Sequence, residues 1–238
     1  VFQFWTVAPD DLSVSRLDVG ECLWLNFVAE RQRPTPEHLS SDLMNIPTVA
    51  LKPVPSLARA VLAGALGFAL VSLCVFATVA FGERWMYAHL SVLGAYLAWT
   101  VLFILLGGGV LGSLVVGRWR LPKFYLLFGV AFFAYAAGWM CAYFLLPRAS
   151  GEWTGSLLGS VLMALVFALG LGVARATIKL SAVLFVANSV GYFLGSALND
   201  YAGGRRGMLL WGITYGFCLG AGIGAVLHLA QAKNPSGE

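Results

Sequence analysis

Few side chains in this 238-residue sequence can do chemistry, and their spacing narrows what that chemistry is. The three histidines, His38, His89 and His228, stand too far apart in sequence to form a ligand pair, and Cys22, Cys74, Cys141 and Cys218 contain no C-x-x-C. No zinc or iron–sulfur site follows from that spacing. H-E-x-x-H and G-x-S-x-G are absent, and no pair of carboxylates falls beside the apolar runs. What remains is a short set of candidates. His228 closes a series of glycines, Gly212, Gly216, Gly220 and Gly224, whose bare face leaves room for a flat ring, so it is the candidate axial ligand for a haem or chlorin. Asn188 and Ser189 form the main polar pair inside an apolar run. They are expected to hydrogen-bond across helices, with substrate contact as the alternative reading. In Asn199-Asp200-Tyr201-Ala-Gly-Gly-Arg205-Arg206-Gly207, Arg205 and Arg206 are candidate contacts for an anionic headgroup, with Asp200 as a capping or pairing acid. Residues 107–112 satisfy G-x-G-x-x-G, but they sit inside an apolar run rather than between a strand and a helix, so no dinucleotide site is expected.

The elements that must position these residues are membrane helices. Hydrophobic residues make up 59% of the chain, charged residues only 11%, and the mean hydropathy is +0.81. A soluble domain carries roughly 25% charged residues. The composition therefore excludes a soluble enzyme and a nucleic-acid binder. About 20 apolar residues carry a helix across a bilayer, and six runs meet or approach that length: 60–81, 90–116, 124–146, 155–174, 180–198 and 208–230. None contains Asp, Glu, Lys or Arg. The expected fold is an all-α integral membrane protein, a six-helix transmembrane bundle over residues 54–238. The junction at 175–179 lacks Gly and Pro, yet one helix through both flanking runs would measure about 66 Å at 1.5 Å per residue. A tight hairpin is expected there, with five spans as the alternative count.

Basic residues sort between the loops. Lys52, Arg59, Arg118, Arg120, Lys123, Arg175, Lys179 and Lys233 fall on one side of the six-span arrangement. Arg84, Arg148, Arg205 and Arg206 fall on the other, beside Glu83, Glu152 and Asp200. The bias predicts both termini on the cytoplasmic side. Trp85, Trp119, Trp153 and Trp211 fall at expected span ends, where an indole buries its ring and keeps its N–H near the headgroups. Residues 1–53 form a separate acidic region with seven acids and four bases. It lacks the basic start and cleavage pattern of a signal peptide. Thr35-Pro36-Glu37 reads as a helix start with Leu39, Leu43 and Met44 on one face, suited to docking on a membrane or partner.

Small residues recur every four positions in several runs, the small-xxx-small or glycine-zipper pattern that lets membrane helices approach closely. Beside the glycines leading to His228, the pattern includes Ser156, Ser160, Ala164, Ala168, Gly172 and Ala176, and also Ala187, Gly191 and Gly195. Such faces pack helices; the functional alternative is a groove for a lipid, a quinone or a pigment. Charge-free spans argue against proton-coupled or charged-substrate transport. The expectation is a non-enzymatic accessory or scaffold subunit of a larger membrane protein complex, with membrane lipids and other membrane subunits as partners. The alternative is a permease or flippase for an uncharged or lipidic solute, routed past Asn188 and Ser189. No cofactor is demanded by the sequence.

Overall fold

In the computed structural model, residues 54–115 and 120–233 are described, and their regular structure is helical throughout. The elements are α1 (Leu57–Leu111), α2 (Arg120–Leu145), α3 (Arg148–Gly170), α4 (Thr177–Ala202) and α5 (Gly204–Lys233), with short 3-10 turns at Gly112–Leu114 and Ala174–Ala176. Five helices among the described residues are long and apolar enough to cross a membrane. The reading of residues 1–53, including His38, Cys22 and the helix start at Thr35, lies outside the described residues, as does Trp119.

The five-helix count differs from the six runs because α1 takes in the first two of them. Residues 82–89, read as a loop, are helical, and the regular backbone is broken only at Ser91 (φ 60°, ψ 174°). At that residue α1 folds back on itself. The Phe68 and Phe103 rings stack with centroids 5.7 Å apart, and Tyr87 meets Trp99 edge-on at 5.9 Å. In a straight helix the 35 residues between the two phenylalanines would span about 52 Å. The first limb, 57–90, begins at Ser56, whose Oγ accepts from the Arg59 amide at 3.4 Å. The second limb opens with a similar, longer bond from the Gly94 amide to Ser91 Oγ at 3.5 Å.

The expected hairpin at 175–179 is also displaced. Helix α3 ends at Gly170, and Gly172 takes a left-handed φ of 69°. The Val173 amide bonds Ala168 O at 2.8 Å and the Gly172 amide bonds Leu169 O at 3.2 Å. This is the paired C-terminal cap that glycine permits. The small-residue series of α3 therefore ends at Ala168, and Gly172 and Ala176 belong to the turn. Pro147 at the N-cap of α3 separates α2 from α3, and Gly203 and Gly204, with φ of 65° and 54°, turn α4 into α5.

The helical segments close a ring. The first limb of α1 packs on α5, α5 on α4, α4 on α3, α3 on α2, and α2 on α1. Phe68, Phe128, Phe167, Leu180, Leu184, Leu219, Ile223 and Leu227 are fully buried inside it. Phe68 contacts Phe103, Phe128 and Phe132 at centroid distances of 5.7 to 6.3 Å, so one aromatic group joins both limbs of α1 to α2. Trp211, expected at a lipid interface, is instead buried between Phe76 and Tyr192. Trp85 and Trp153 are exposed.

Candidate functional site

Polar groups in an apolar interior must find partners or cost free energy, so the buried polar side chains are the first place to look for a site. One network runs through the middle of the ring. The Tyr135 hydroxyl of α2 donates to Asn188 Oδ1 of α4 at 2.7 Å and stands 2.8 Å from the Tyr215 hydroxyl of α5. With its proton committed to Asn188, Tyr135 accepts from Tyr215. Asn188 Nδ2 donates to Ser156 Oγ of α3 at 2.8 Å, and Ser156 and Ser189 share a hydrogen bond of 2.8 Å. Four helices are thus joined by one chain of five side chains. Asn188 and Ser156 have no solvent exposure, and Tyr135, Tyr215 and Ser189 are buried.

The network's chemistry is narrow. It consists of two phenols, two serine hydroxyls and one amide, groups that can align dipoles and fix helix register. Two further hydroxyls, Ser160 on α3 and Ser72 on the first limb of α1, are buried with no hydrogen-bond partner among the described residues. Ser160 lies one turn from Ser156, and Ser72 faces α5 at Gly216, where a Cβ would press on it.

The sequence marks Asn188 and Ser189, but nothing in it pairs them with Tyr135, Tyr215 or Ser156. The signal was present: Tyr135 stands at the centre of the run 124–146, where a phenol has no water to bond. Ser156 stands out in the sequence only as a small residue in a packing series.

Along α5, the face of Gly212, Gly216, Gly220 and Gly224 is occupied by the first limb of α1. A Cβ on Gly212 would lie 2.6 Å from Phe76 Cβ, one on Gly216 2.6 Å from Phe68 O, one on Gly220 2.6 Å from Phe68 Cβ, and one on Gly224 2.9 Å from Ala60 C. On the α4 side, Gly191 lies against the Tyr215 backbone, and Gly195 against the Trp211 ring. His228, at the end of that face, has Nδ1 2.9 Å from Pro55 O, where it donates to the carbonyl and ties the end of α5 to the start of α1. One turn on, Gln231 Nε2 donates to Leu114 O at 3.3 Å. The glycines of 107–112 face Phe68, Phe128 and Tyr125 and serve packing between α1 and α2.

At the opposite end of the ring, Arg205 and Arg206 are exposed on the first turn of α5, and the Arg205 guanidinium lies 5.0 Å above the centre of the Phe81 ring. Asp200 is on the last turn of α4. His89, near the Ser91 bend, stacks on Trp85 at 4.6 Å, with Nδ1 2.8 Å from Trp85 O. The structure therefore divides the sequence candidates into three separate places: the network, the α5 glycine face ending at His228, and the Arg205–Arg206 corner. The chain matches no family model, no curated protein and no solved structure.

Proposed function

We propose that this chain is a non-catalytic scaffold, an accessory subunit of a larger membrane protein complex. Its six crossings are the two limbs of α1, taken separately, and α2 to α5. The second limb, residues 92–111, is about 30 Å long, one bilayer core. The glycine face of α5 is read as a zipper whose partner is the first limb of α1. The observation that carries the reading is the network: Tyr135, Asn188, Tyr215, Ser156 and Ser189 are bonded to one another across four helices. A solute route would need such groups facing a passage, whereas a scaffold needs them to lock helix register.

The outer surface supports the same reading. Leu66, Leu70, Leu126, Leu145, Leu169 and Val186 are more than half exposed and present apolar faces to lipid or to the helices of neighbouring subunits. The ends carry unequal charge. Arg59, Arg120, Lys123, Arg175, Lys179 and Lys233 lie at the end where α1, α2 and α4 begin and α5 finishes, while Arg84, Arg148, Arg205 and Arg206 lie toward the other end beside Glu83, Glu152 and Asp200, the acids of the described residues. By the excess of bases both termini are cytoplasmic, and the acidic residues 1–53 meet a partner there.

The test is purification from the native membrane in mild detergent, with the particle's mass, subunit composition and absorption spectrum recorded. The expected result is co-migration with fixed partner subunits in a particle well above the 25.4 kDa of one chain. A lone chain or simple homo-oligomer sinks the reading and makes flux in liposomes the next assay.

A further inference from the structure

At the end of the ring where α2 finishes and α3 begins, an arc of aromatic side chains crosses from helix to helix. Tyr87 on the first limb of α1 meets Trp99 on the second at 5.9 Å, and Trp99 meets Tyr96 at 5.5 Å. Through Phe144 the arc reaches Tyr143 of α2, and Trp139, stacked on Tyr143 at 4.7 Å, meets Tyr192 of α4 at 5.7 Å. Tyr87, Tyr96 and Tyr192 meet these neighbours edge-on or tilted rather than stacked, and all three are only half-buried, so part of their ring faces stays open.

Two half-buried carboxylates stand on this arc. Glu83 lies one turn before Tyr87 and acts electrostatically on both Tyr87 and Tyr96, while Glu152, on the second turn of α3, acts on Tyr192. Tyr143 is a neighbour of all three tyrosines, and Tyr96 of Tyr192, so their hydroxyls converge across four segments of the bundle. The charged side chains that act on Tyr87, Tyr96 and Tyr192 are these two acids, and no lysine or arginine of the described residues joins them. The face of an aromatic ring is itself negative. Rings and carboxylates therefore favour the same sign of charge, and a weakly hydrated cation with alkyl groups gains from both.

We infer that this arc binds an organic cation of the quaternary or alkyl ammonium class, its charge facing Glu83 and Glu152 and its alkyl groups against Tyr87, Tyr96 and Tyr192. The site does not depend on the scaffold reading. It asks only that the arc face water or the headgroup layer, where an ammonium is available. A free solute and the headgroup of a choline lipid present the same chemistry there.

The experiment uses the full chain in dodecyl maltoside, a detergent without an ammonium group, with radiolabelled choline in equilibrium dialysis at fixed ionic strength. One saturable site per chain is expected, competed by tetramethylammonium but not by sodium or by dimethylbutanol, the uncharged isostere of choline. Glu83→Gln should weaken binding by about tenfold, the loss of a charged partner. Tyr96→Leu should weaken it by about tenfold and Tyr96→Phe by no more than about twofold, because phenylalanine keeps the ring face. Thermal melting shows that each variant is folded, with Val190→Ala on the exposed face of α4 as control. Absence of saturable binding overturns the site. So does equal competition by dimethylbutanol, which would mark a merely apolar surface, or an equal loss in Tyr96→Phe and Tyr96→Leu, which would mark the hydroxyl. Arg148 opens α3 one turn before Glu152. Binding that appears only in Arg148→Gln would mean that an arginine of the chain takes the place of a ligand, and would also overturn the site. Nanodiscs then separate the two sources, and either result supports the site: choline binding suppressed in phosphatidylcholine relative to phosphatidylglycerol identifies a lipid headgroup, and undiminished binding a free solute.

Discussion

Asn188 is the side chain on which the interior most depends, because it both accepts from Tyr135 and donates to Ser156. Replacing it by alanine strands a donor on one side and an acceptor on the other. Since single hydrogen bonds in membranes average about 0.6 kcal/mol and reach about 1.7, Asn188→Ala should cost about 2 kcal/mol once two are lost. Tyr215→Phe removes only the terminal donor of the chain and should cost about 0.5 kcal/mol. Unfolding in mixed detergent micelles, with Val190→Ala on the exposed face of the same helix as control, measures the order. If Asn188→Ala costs no more than the control, the network is not holding the bundle. Ser91 offers the opposite case. Its φ of 60° with ψ of 174° is a conformation that belongs to glycine and costs other residues roughly 1–3 kcal/mol. Its side chain returns only a 3.5 Å cap to Gly94. Ser91→Gly should therefore stabilise the protein by about 1 kcal/mol, since glycine gives up only a few tenths as an N-cap. A loss of stability in the same unfolding assay would show that the cap outweighs the strain.

Helix α5 carries two kinds of constraint along its length. Toward α1 it presents glycines against backbone, and a Cβ on Gly220 would press on Gly64 O and lie 2.6 Å from Phe68 Cβ. Backbone cannot move aside as a flexible side chain can. Gly220→Ala should therefore destabilise by about 2 kcal/mol, the usual cost of overpacking. Gly82 on the first limb of α1 has open space in its place, so Gly82→Ala should gain up to about 1 kcal/mol from helix propensity alone. Thermal denaturation of the pair decides between contact and composition. Equal responses would mean that α1 and α5 are not held in backbone contact along this face. For the same reason leucine at Gly216 or Gly220 should break the bundle itself, so neither substitution can probe contact with a partner subunit. The α3–α4 corner shows an element boundary set by one residue, Gly172, whose φ of 69° lets two cap hydrogen bonds close.

For the whole molecule the decisive property is how many times the chain crosses and which way it faces. Ile178 and Tyr201 are 86% and 91% exposed near opposite ends of α4, about 35 Å apart along the helix. In a background with the native cysteines replaced, Tyr201→Cys should react with an impermeant maleimide from outside intact cells, and Ile178→Cys only after lysis. Labelling of both from one side would remove α4 from the count of crossings, and the reverse pattern would invert the orientation. Composition marked the chain as rich in helices apolar enough to cross a membrane, and uncharged runs placed the helices of its C-terminal half to within seven residues at every end, because exclusion of charge from hydrocarbon is a rule each residue obeys alone.

Reversals were harder to read. The bend at Ser91 has no glycine or proline at that position, and the one at 171–176 takes its sharpness from a glycine that also fitted a packing series. Spacing marks Gly212, Gly216, Gly220 and Gly224 as one face of a helix, but it does not say what covers that face. The first limb of α1 covers it, from more than 130 residues earlier in the chain. Sequence determined that Asn188 needs a partner, since an amide in an apolar span cannot go unpaired cheaply. Only the tertiary structure decided that the partners are Tyr135 and Ser156, because hydrogen bonds across helices depend on the rotation and depth of four separate segments, and no local pattern encodes those.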